Sequence, residues 1–297
     1  MKKKKYANNY SWIWAIVVIL IIAIPITCSK RSKDKPEYKD VEEPITHSDS
    51  EPKATDAEKP IVSKSIIKHG DKKLAIIIDD FGQTNNSLIK EFFELPLEVT
   101  FAIIPDLPRS KEIMIEAMLS NREVIIHVPM EPESYPKDNP GENAIFTHLS
   151  DEEIKSRMNY FCDEISYAIG INNHMGSKAT SDKRTMEAVC SVLSERNMFF
   201  IDSFTTAKSV AQQTALRNGV PTNRRHIFLD VPNSSLENAK AKLGELNKKN
   251  KKYNPTIVIS HCLSRKKLAQ LKEFLRLAKA DGYELVPISQ VIKQPVL

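Results

Sequence analysis

Two adjacent aspartates, Asp79 and Asp80, end a short apolar run in the segment LAIIIDDFGQ, residues 74–83. Isoleucine-rich runs of this length, closed by a turn residue such as Gly82, are typical of strands buried on both faces of a parallel sheet. Because side chains alternate along a strand, we expect the two carboxylates to point in different directions and to perform different tasks. The alternative is that they only begin a turn or cap a helix.

Three of the seven histidines follow other apolar runs. His127 lies in EVIIHV, His174 lies in GINNHMGS, and His261 follows TIVIS. Each histidine alone could be an ordinary hydrogen-bonded residue. An aspartate with two histidines, however, is a ligand set that suits zinc and leaves positions open for water, so the group predicts a metal centre. Glycines at 82, 170 and 176, in a chain with only eight, indicate tight turns around it.

The elements that would position these residues alternate along the chain from Lys72 onward. Between most strand candidates lie amphipathic stretches, two of which begin at clear caps, the capping box Ser150–Glu153 and Ser264. Repeated strand–helix units predict an α/β fold with parallel strands and right-handed crossovers, most simply an irregular (β/α) barrel. Functional residues gather at the carboxyl ends of such strands. The strand candidates are Lys73–Asp79, Val99–Ile104, Glu123–Val128, Ala168–Asn173, Met198–Asp202, His226–Asp230, Thr256–Ser260 and Glu284–Pro287.

The first 71 residues predict a membrane attachment. Trp12 to Cys28 is an uncharged apolar run behind Lys2–Lys5, about long enough with its flanks to cross a bilayer. By the positive-inside rule the N-terminus stays in the cytoplasm and the rest is exported. A cleaved signal peptide is the alternative, but no small-x-small site follows the run. Residues 30–71 are rich in Lys, Glu, Asp, Ser and Pro without an apolar period, which predicts a disordered tether.

We therefore expect three regions: an anchor at 1–29 in the cytoplasmic membrane, a charged tether at 30–71, and an extracytoplasmic, periplasmic domain at 72–297. The net charge of +5 is raised by the N-terminal lysines, and no basic stripe is interleaved with aromatics, so we expect no nucleic-acid partner. No G-x-G-x-x-G or Walker loop follows a strand, so we expect no nucleotide. The four cysteines form no C-x-x-C pair; a disulfide between Cys162 and Cys190 stays open.

One stretch near the predicted metal site is distinctive, Asn172-Asn173-His174-Met175-Gly176-Ser177. With it belong 77–82 (IIDDFG), 127–132 (HVPMEP), Asp202-Ser203, 228–230 (FLD) and His261. Through these segments the chain resembles the divergent polysaccharide deacetylase family, relatives of the NodB-type carbohydrate deacetylases. The resemblance covers nearly all of residues 72 to 290, and Asn172–Ser177 is its most specific part.

The resemblance implies a distorted, NodB-like (β/α) barrel, here of seven to eight parallel strands, and a metal-dependent hydrolase that acts on N-acetyl or O-acetyl groups of a glycan. Together with the predicted membrane anchor, this makes cell-envelope polysaccharide the expected substrate. The resemblance also implies Asp79 as general base and His261 as the acid that protonates the leaving group. Asp80, His127 and His174 would bind Zn²⁺ or another divalent transition metal. Within the matching segments we expect the substrate to be bound by Glu131, Asn173, Ser177 and Asp202. We expect Phe204 to bind it as well, as an apolar wall against a sugar face or an acetyl methyl.

The chain departs from the family pattern at two places. Phe204 stands in Asp202-Ser203-Phe204-Thr205, where family members tend to carry an arginine, and Ser260-His261-Cys262 replaces Gly-His-Pro. Phe204 favours an alternative, a non-catalytic glycan-binding or scaffolding module that keeps the deacetylase fold. A magnesium-dependent phosphoryl hydrolase ranks last, because two histidines fit zinc better than magnesium.

Overall fold

The fold is an α/β sheet whose strands are all joined by parallel ladders, seen in a computed structural model that describes residues 72–295. Each of the eight predicted strands is present in whole or in part. The strands are β1 (Lys73–Phe81), β2 (Thr100–Ile103), β3 (Val124–Met130), β4 (Gly170–Met175), β5 (Phe199–Asp202), β6 (Thr222–Arg224), β7 (Ile227–Phe228), β8 (Thr256–His261) and β9 (Glu284–Leu285). The helices are α1 (Ser87–Phe93), α2 (Ser110–Leu119), α3 (Asp151–Glu164), α4 (Lys183–Glu195), α5 (Ala211–Arg217), α6 (Leu236–Asn250) and α7 (Arg265–Ala280).

The strands follow the order β6-β5-β4-β3-β2-β1-β8-β7, with β9 paired to β1. Among the described residues no ladder joins the two edge strands, β6 and β7. They are connected instead by Arg225, whose N–H bonds to the Asp202 carbonyl of β5, and by His226, whose N–H bonds to the Ile257 carbonyl of β8. The sheet is therefore a curled, incomplete barrel of nine strands, one more than the seven to eight expected. The additional strand, β6, was missed because TNR is short and polar.

The apolar core lies on both sides of the sheet, as its continuous apolar strands predict. Along β1, Leu74, Ile76 and Ile78 join the larger cluster that includes the surrounding helices. Ala75 and Ile77 belong to a smaller cluster made mainly of strand residues, which also contains Ile125, Ile201, Ile257 and Ile259. Each fully buried isoleucine contributes about 1.5–3 kcal/mol. The strand that ends at the two aspartates is thus held firmly from both faces.

Both predicted helix starts are confirmed. Ser150 and Glu153 form a complete capping box at α3, and the Ser264 side chain accepts the Lys267 N–H at the start of α7. The described cysteines, Cys162, Cys190 and Cys262, are buried and free, so the open disulfide between the first two does not form.

The predicted membrane anchor at 1–29 and tether at 30–71 lie outside the described residues. Within 72–295, none of the helices combines the length and the apolar character needed to cross a bilayer.

Candidate metal centre and active site

A bulge at the end of β1 brings both aspartates to the site. The pairing of β1 with β2 changes register between Ile78 and Phe81, and Asp80 has a left-handed backbone with φ of +70°. Oδ2 of Asp79 lies 3.6 Å and Oδ1 of Asp80 lies 3.4 Å from Nε2 of the same residue, His127. The expected alternation does not hold here, because a bulge adds a residue and redirects the side chains around it.

Asp80, His127 and His174 form a cluster that could hold a metal ion, with one ligand atom of each lying within 4.8 Å of the others. Nδ1 of His174 lies 3.1 Å from Oδ1 of Asp80 and 3.1 Å from Nε2 of His127. Burial would raise the pKa of Asp80, but the two histidines outweigh burial and hold it well below its ordinary value. Within the described part of the chain, this buried Oδ1 has no well-formed hydrogen bond. Such a carboxylate, facing two imidazoles, suits a divalent transition metal.

Asn172 joins this cluster to Asp79. The Asn172 side chain is fully buried on β4, where it donates from Nδ2 to Oδ1 of Asp79 at 2.8 Å. Its Oδ1 lies 2.7 Å from Nδ1 of His127. Burial raises the pKa of Asp79, and the nearby His127 and His261 act in the opposite direction. Asp79 is therefore a buried carboxyl with an elevated pKa, a property suited to a general base.

His261 ends β8 beside Asp79, its direct neighbour in the register of β1 and β8. Its Nδ1 lies 2.9 Å and 3.1 Å from the two carboxylate oxygens of Asp230. The Asp230 side chain has no exposed surface and also accepts from Nζ of Lys267 at 2.7 Å. Burial lowers the pKa of His261, but Asp230 and then Asp79 outweigh burial and raise it. Asp230 thus engages Nδ1 and leaves Nε2 free to meet a substrate, and the raised pKa favours the protonated imidazole.

Arg225 supplies a cation on the wall beside Phe204. Its Nε and Nη2 donate to the carbonyls of Ser203 and Phe204 at 2.6 and 2.7 Å. Its guanidinium lies 3.5 Å from the ring centre of Phe228, which in turn stacks on His261. Burial lowers the pKa of Arg225 to about 10, which leaves it charged at neutral pH, and Asp202 and Asp79 favour the charged form.

The residues predicted to bind substrate lie near the same strand ends, several of them engaged by the protein. Glu131 accepts from Thr147 and Lys178, and Asp202 accepts from the Phe204 N–H and from Ser209. Asn173 accepts the Ser203 N–H and donates to the Met175 carbonyl. Ser177 accepts the Glu133 N–H. Phe204 has φ of +48°, and the Arg224 guanidinium lies 4.5 Å from its ring centre.

Two of the glycines have different tasks. Gly176 has φ of +81°, and a Cβ there would lie 2.8 Å from the Cβ of Met130, so glycine permits the tight turn directly after the His174 strand. Gly170 begins β4, at the end far from His174. A Cβ at Gly170 would lie 2.3 Å from the Phe199 ring, so this glycine serves strand packing rather than the site.

Sequence reasoning assigned no role to four residues of the site: Asn172, Arg225, Asp230 and Lys267. A signal existed for Asn172, because residues 172 and 174 share one face of a regular strand while 173 faces the other way. Asp230 followed a predicted strand and was already part of the family match. No spacing pattern pointed to Arg225 or Lys267.

Comparisons with known proteins identify the family of this chain. The family model of the divergent polysaccharide deacetylases matches residues 76–292. An uncharacterized protein of Haemophilus influenzae is 40% identical over 164 residues, which are 54% of this chain and 56% of that protein. The protein YibQ of Escherichia coli is 37% identical over 158 residues, 53% of this chain and 49% of that protein. The match thus spans about half the length of these curated relatives.

A crystal structure of the protein ATU2773 from Agrobacterium tumefaciens has the same fold. It superposes with a TM-score of 0.66 at 22% identity, and the match covers 75% of this chain and 89% of that one. The family model covers most of the chain, including both aspartates, the three strand-end histidines and Asn172. The chain therefore belongs to the divergent polysaccharide deacetylase family.

Proposed function

We propose that this protein is a metal-dependent hydrolase that removes acetyl groups from cell-envelope polysaccharide. The observation that carries the proposal is the convergence of Asp80, His127 and His174 beside a second carboxylate, Asp79. His261 completes the site from the neighbouring strand. These residues provide a metal-ligand set, a base and an acid, the groups that hydrolysis of an amide or ester requires.

The ligand set fits Zn²⁺ or a similar divalent transition metal. One carboxylate and two imidazoles leave coordination positions open, as catalytic zinc sites do. The buried Oδ1 of Asp80 is the observation that supports the fit, because it faces two imidazole nitrogens without a well-formed hydrogen bond inside the described region. When bound, the metal would polarise the acetyl carbonyl and activate water near neutral pH.

Asp79 acts as the general base. Asn172 holds Oδ1 of its carboxylate, while Oδ2 faces the cluster 3.6 Å from His127. Burial raises the pKa of this carboxyl, which strengthens it as a proton acceptor. Asp79 thus takes the proton from the attacking water, whereas Asp80 binds the metal.

His261 acts as the general acid. Asp230 fixes its Nδ1, so Nε2 is the nitrogen that can deliver a proton to the departing amine or hydroxyl. The carboxylates around it favour the protonated imidazole. Val231 and Leu263, which follow Asp230 and Cys262 in the chain, are exposed apolar side chains. In the proposed function they offer an apolar surface to a sugar ring or an acetyl methyl.

The location of the activity follows from the predicted anchor. An N-terminal helix at 1–29 would attach the protein to the cytoplasmic membrane, and the tether at 30–71 would let the domain at 72–297 reach periplasmic glycan. Cell-envelope polysaccharide is then the acetylated polymer within reach.

A second candidate function is a glycan-binding or scaffolding module that has lost turnover. Phe204 favours it, because an aromatic ring stands where members of the family tend to carry an arginine. Arg225 argues against it. This arginine, which lies between β6 and β7, bonds the carbonyls of Ser203 and Phe204 and so still provides a cation beside position 204.

Acetate release distinguishes the two functions. The full chain, purified in detergent, is stripped with a chelator, reloaded with Zn²⁺ and incubated with acetylated envelope glycan. We expect acetate release that is lost on chelation and restored by the metal, with Asp79→Asn as the control that binds metal without turnover. Bound zinc, an intact fold and retained glycan, without acetate from either N- or O-acetylated material, would favour the binding module.

A further inference from the structure

We propose that Asn172 is a positioning residue that sets two things at once: the orientation of the Asp79 carboxylate and the ring nitrogen with which His127 meets the metal. This inference rests on the proposed function for its catalytic half. Its metal-binding half stands on the geometry of the cluster alone.

The amide of Asn172 can point only one way. A carboxylate accepts hydrogen bonds, so the group 2.8 Å from Oδ1 of Asp79 must be the amide NH₂. The amide oxygen is then the atom 2.7 Å from Nδ1 of His127, and that nitrogen must carry a proton. The orientation of one side chain thus follows from the charge of its neighbour.

The tautomer of His127 follows from the same bond. With the proton on Nδ1, the neutral ring has its lone pair on Nε2. Nε2 is the atom that lies 3.4 Å from Oδ1 of Asp80 and 3.1 Å from Nδ1 of His174. Asn172 therefore leaves Nε2 as the His127 nitrogen that faces the cluster and can bind a metal.

In the intact site the protein itself makes both bonds, because Asn172 is fully buried and both of its neighbours are almost fully buried. The backbone also fixes the amide. Asn172 pairs with His127 in the register of β3 and β4, and with Ile201 on the other side of β4. Asn172 and His127 accordingly lie on adjacent strands, and Asp79 lies on β1 of the same sheet, separated from β3 by β2.

Two substitutions separate the two tasks. Asn172→Ala removes both hydrogen bonds. Asn172→Asp keeps an acceptor for the His127 N–H but loses the donor to Asp79 and places two carboxylates side by side. Asn223→Ala is the matched control, because Asn223 is also a buried strand asparagine and donates to the Val291 carbonyl outside the site.

The test uses the full chain in detergent, with thermal unfolding of each variant as the check on folding. Zn²⁺ affinity is measured by competition calorimetry, the His127 tautomer by ¹⁵N NMR of the imidazole, and turnover by acetate release. We expect Asn172→Ala to lose about 10–100-fold in Zn²⁺ affinity and to show a mixed tautomer. Asn172→Asp should bind Zn²⁺ nearly as wild type does, with Nδ1 still protonated. Both should lose about 100-fold in turnover, and Asn223→Ala should match wild type.

The outcomes decide each half of the proposal. Wild-type Zn²⁺ affinity and tautomer in a folded Asn172→Ala variant would overturn the metal half, as would equal loss of affinity in both Asn172 variants. Wild-type acetate release by Asn172→Asp would overturn the Asp79 half. If the wild-type protein releases no acetate, the proposed function fails, while calorimetry and NMR still decide whether Asn172 positions His127.

Discussion

The pairing of Asp230 with His261 yields the most detailed prediction, through the substitution Asp230→Asn. The carboxylate has no exposed surface, and its oxygens lie 2.9 and 3.1 Å from Nδ1 of His261. An amide of the same size removes the negative charge that, with Asp79, outweighs burial and raises the His261 pKa. The pKa of His261 should therefore fall. If it falls by one, the protonated fraction of the imidazole drops by about nine-tenths at pH values well above the pKa.

The kinetic consequence can be given a magnitude and a sign. A positioned general acid contributes about 10²–10⁴-fold, so kcat/KM for acetate release should fall by at least about 100-fold at neutral pH. Activity requires the protonated form and is lost as pH rises through the His261 pKa. The alkaline limb of the pH–rate profile should thus move to lower pH in Asp230→Asn.

Lys267 offers the matched control for this experiment. Lys267→Met removes the other partner of Asp230 but keeps the bond to His261, so it should lower stability by about 1–3 kcal/mol with a much smaller loss of turnover. Acetate release in Asp230→Asn within twofold of wild type, with an unmoved alkaline limb, would refute the role of His261 as general acid.

Three further predictions concern the division of tasks between the two aspartates, the arginine beside Phe204 and the buried Arg122. In metal-affinity measurements, Asp80→Ala should lose about 100-fold or more in Zn²⁺ affinity, whereas Asp79→Ala should keep the metal and lose turnover; equal losses would refute the division of tasks. Phe204→Arg should not raise acetate release, because Arg225 already supplies the local charge and a second cation would be repelled; a clear increase would show that charge is limiting. Arg122→Met should cost about 3–4 kcal/mol in chemical denaturation without changing Zn²⁺ affinity, because the fully buried guanidinium bonds four carbonyls between residues 93 and 99.

Much of the fold could be predicted because the strands are apolar on both faces. The isoleucine run of β1 and the runs of β3 and β8 have no other plausible place than a covered sheet. β6 escaped prediction, because three polar residues carry neither alternation nor an apolar run. Arg225 and His226 connect the two edge strands, β6 and β7, through single backbone hydrogen bonds. That connection depends on how far the sheet curls, which the local sequence does not encode.

The sequence predicted which residues form the site, but not the directions in which their side chains point. Strand ends identified Asp79, Asp80, His127, His174 and His261, and all five meet at one edge of the sheet. The rule of alternation failed at the two aspartates because a bulge is set by pairing with β2. Applied to β4, the same rule would have selected Asn172.

The placement of Arg225 could not be foreseen, because it depends on a partner from another part of the chain. Its guanidinium bonds the carbonyls of Ser203 and Phe204, twenty-two and twenty-one positions earlier in the chain. The sequence showed only that an arginine was absent from position 204. The structure places a different arginine against the same turn.

The central claim is that Asp80, His127 and His174 hold one metal ion. The most direct test is X-ray diffraction from zinc-loaded crystals at energies above and below the zinc edge. We predict a single strong anomalous peak about 2.0–2.2 Å from a carboxylate oxygen of Asp80, from Nε2 of His127 and from Nδ1 of His174. An anomalous map with no peak among these three residues, or a zinc ion bound through Nδ1 of His127, would contradict the account.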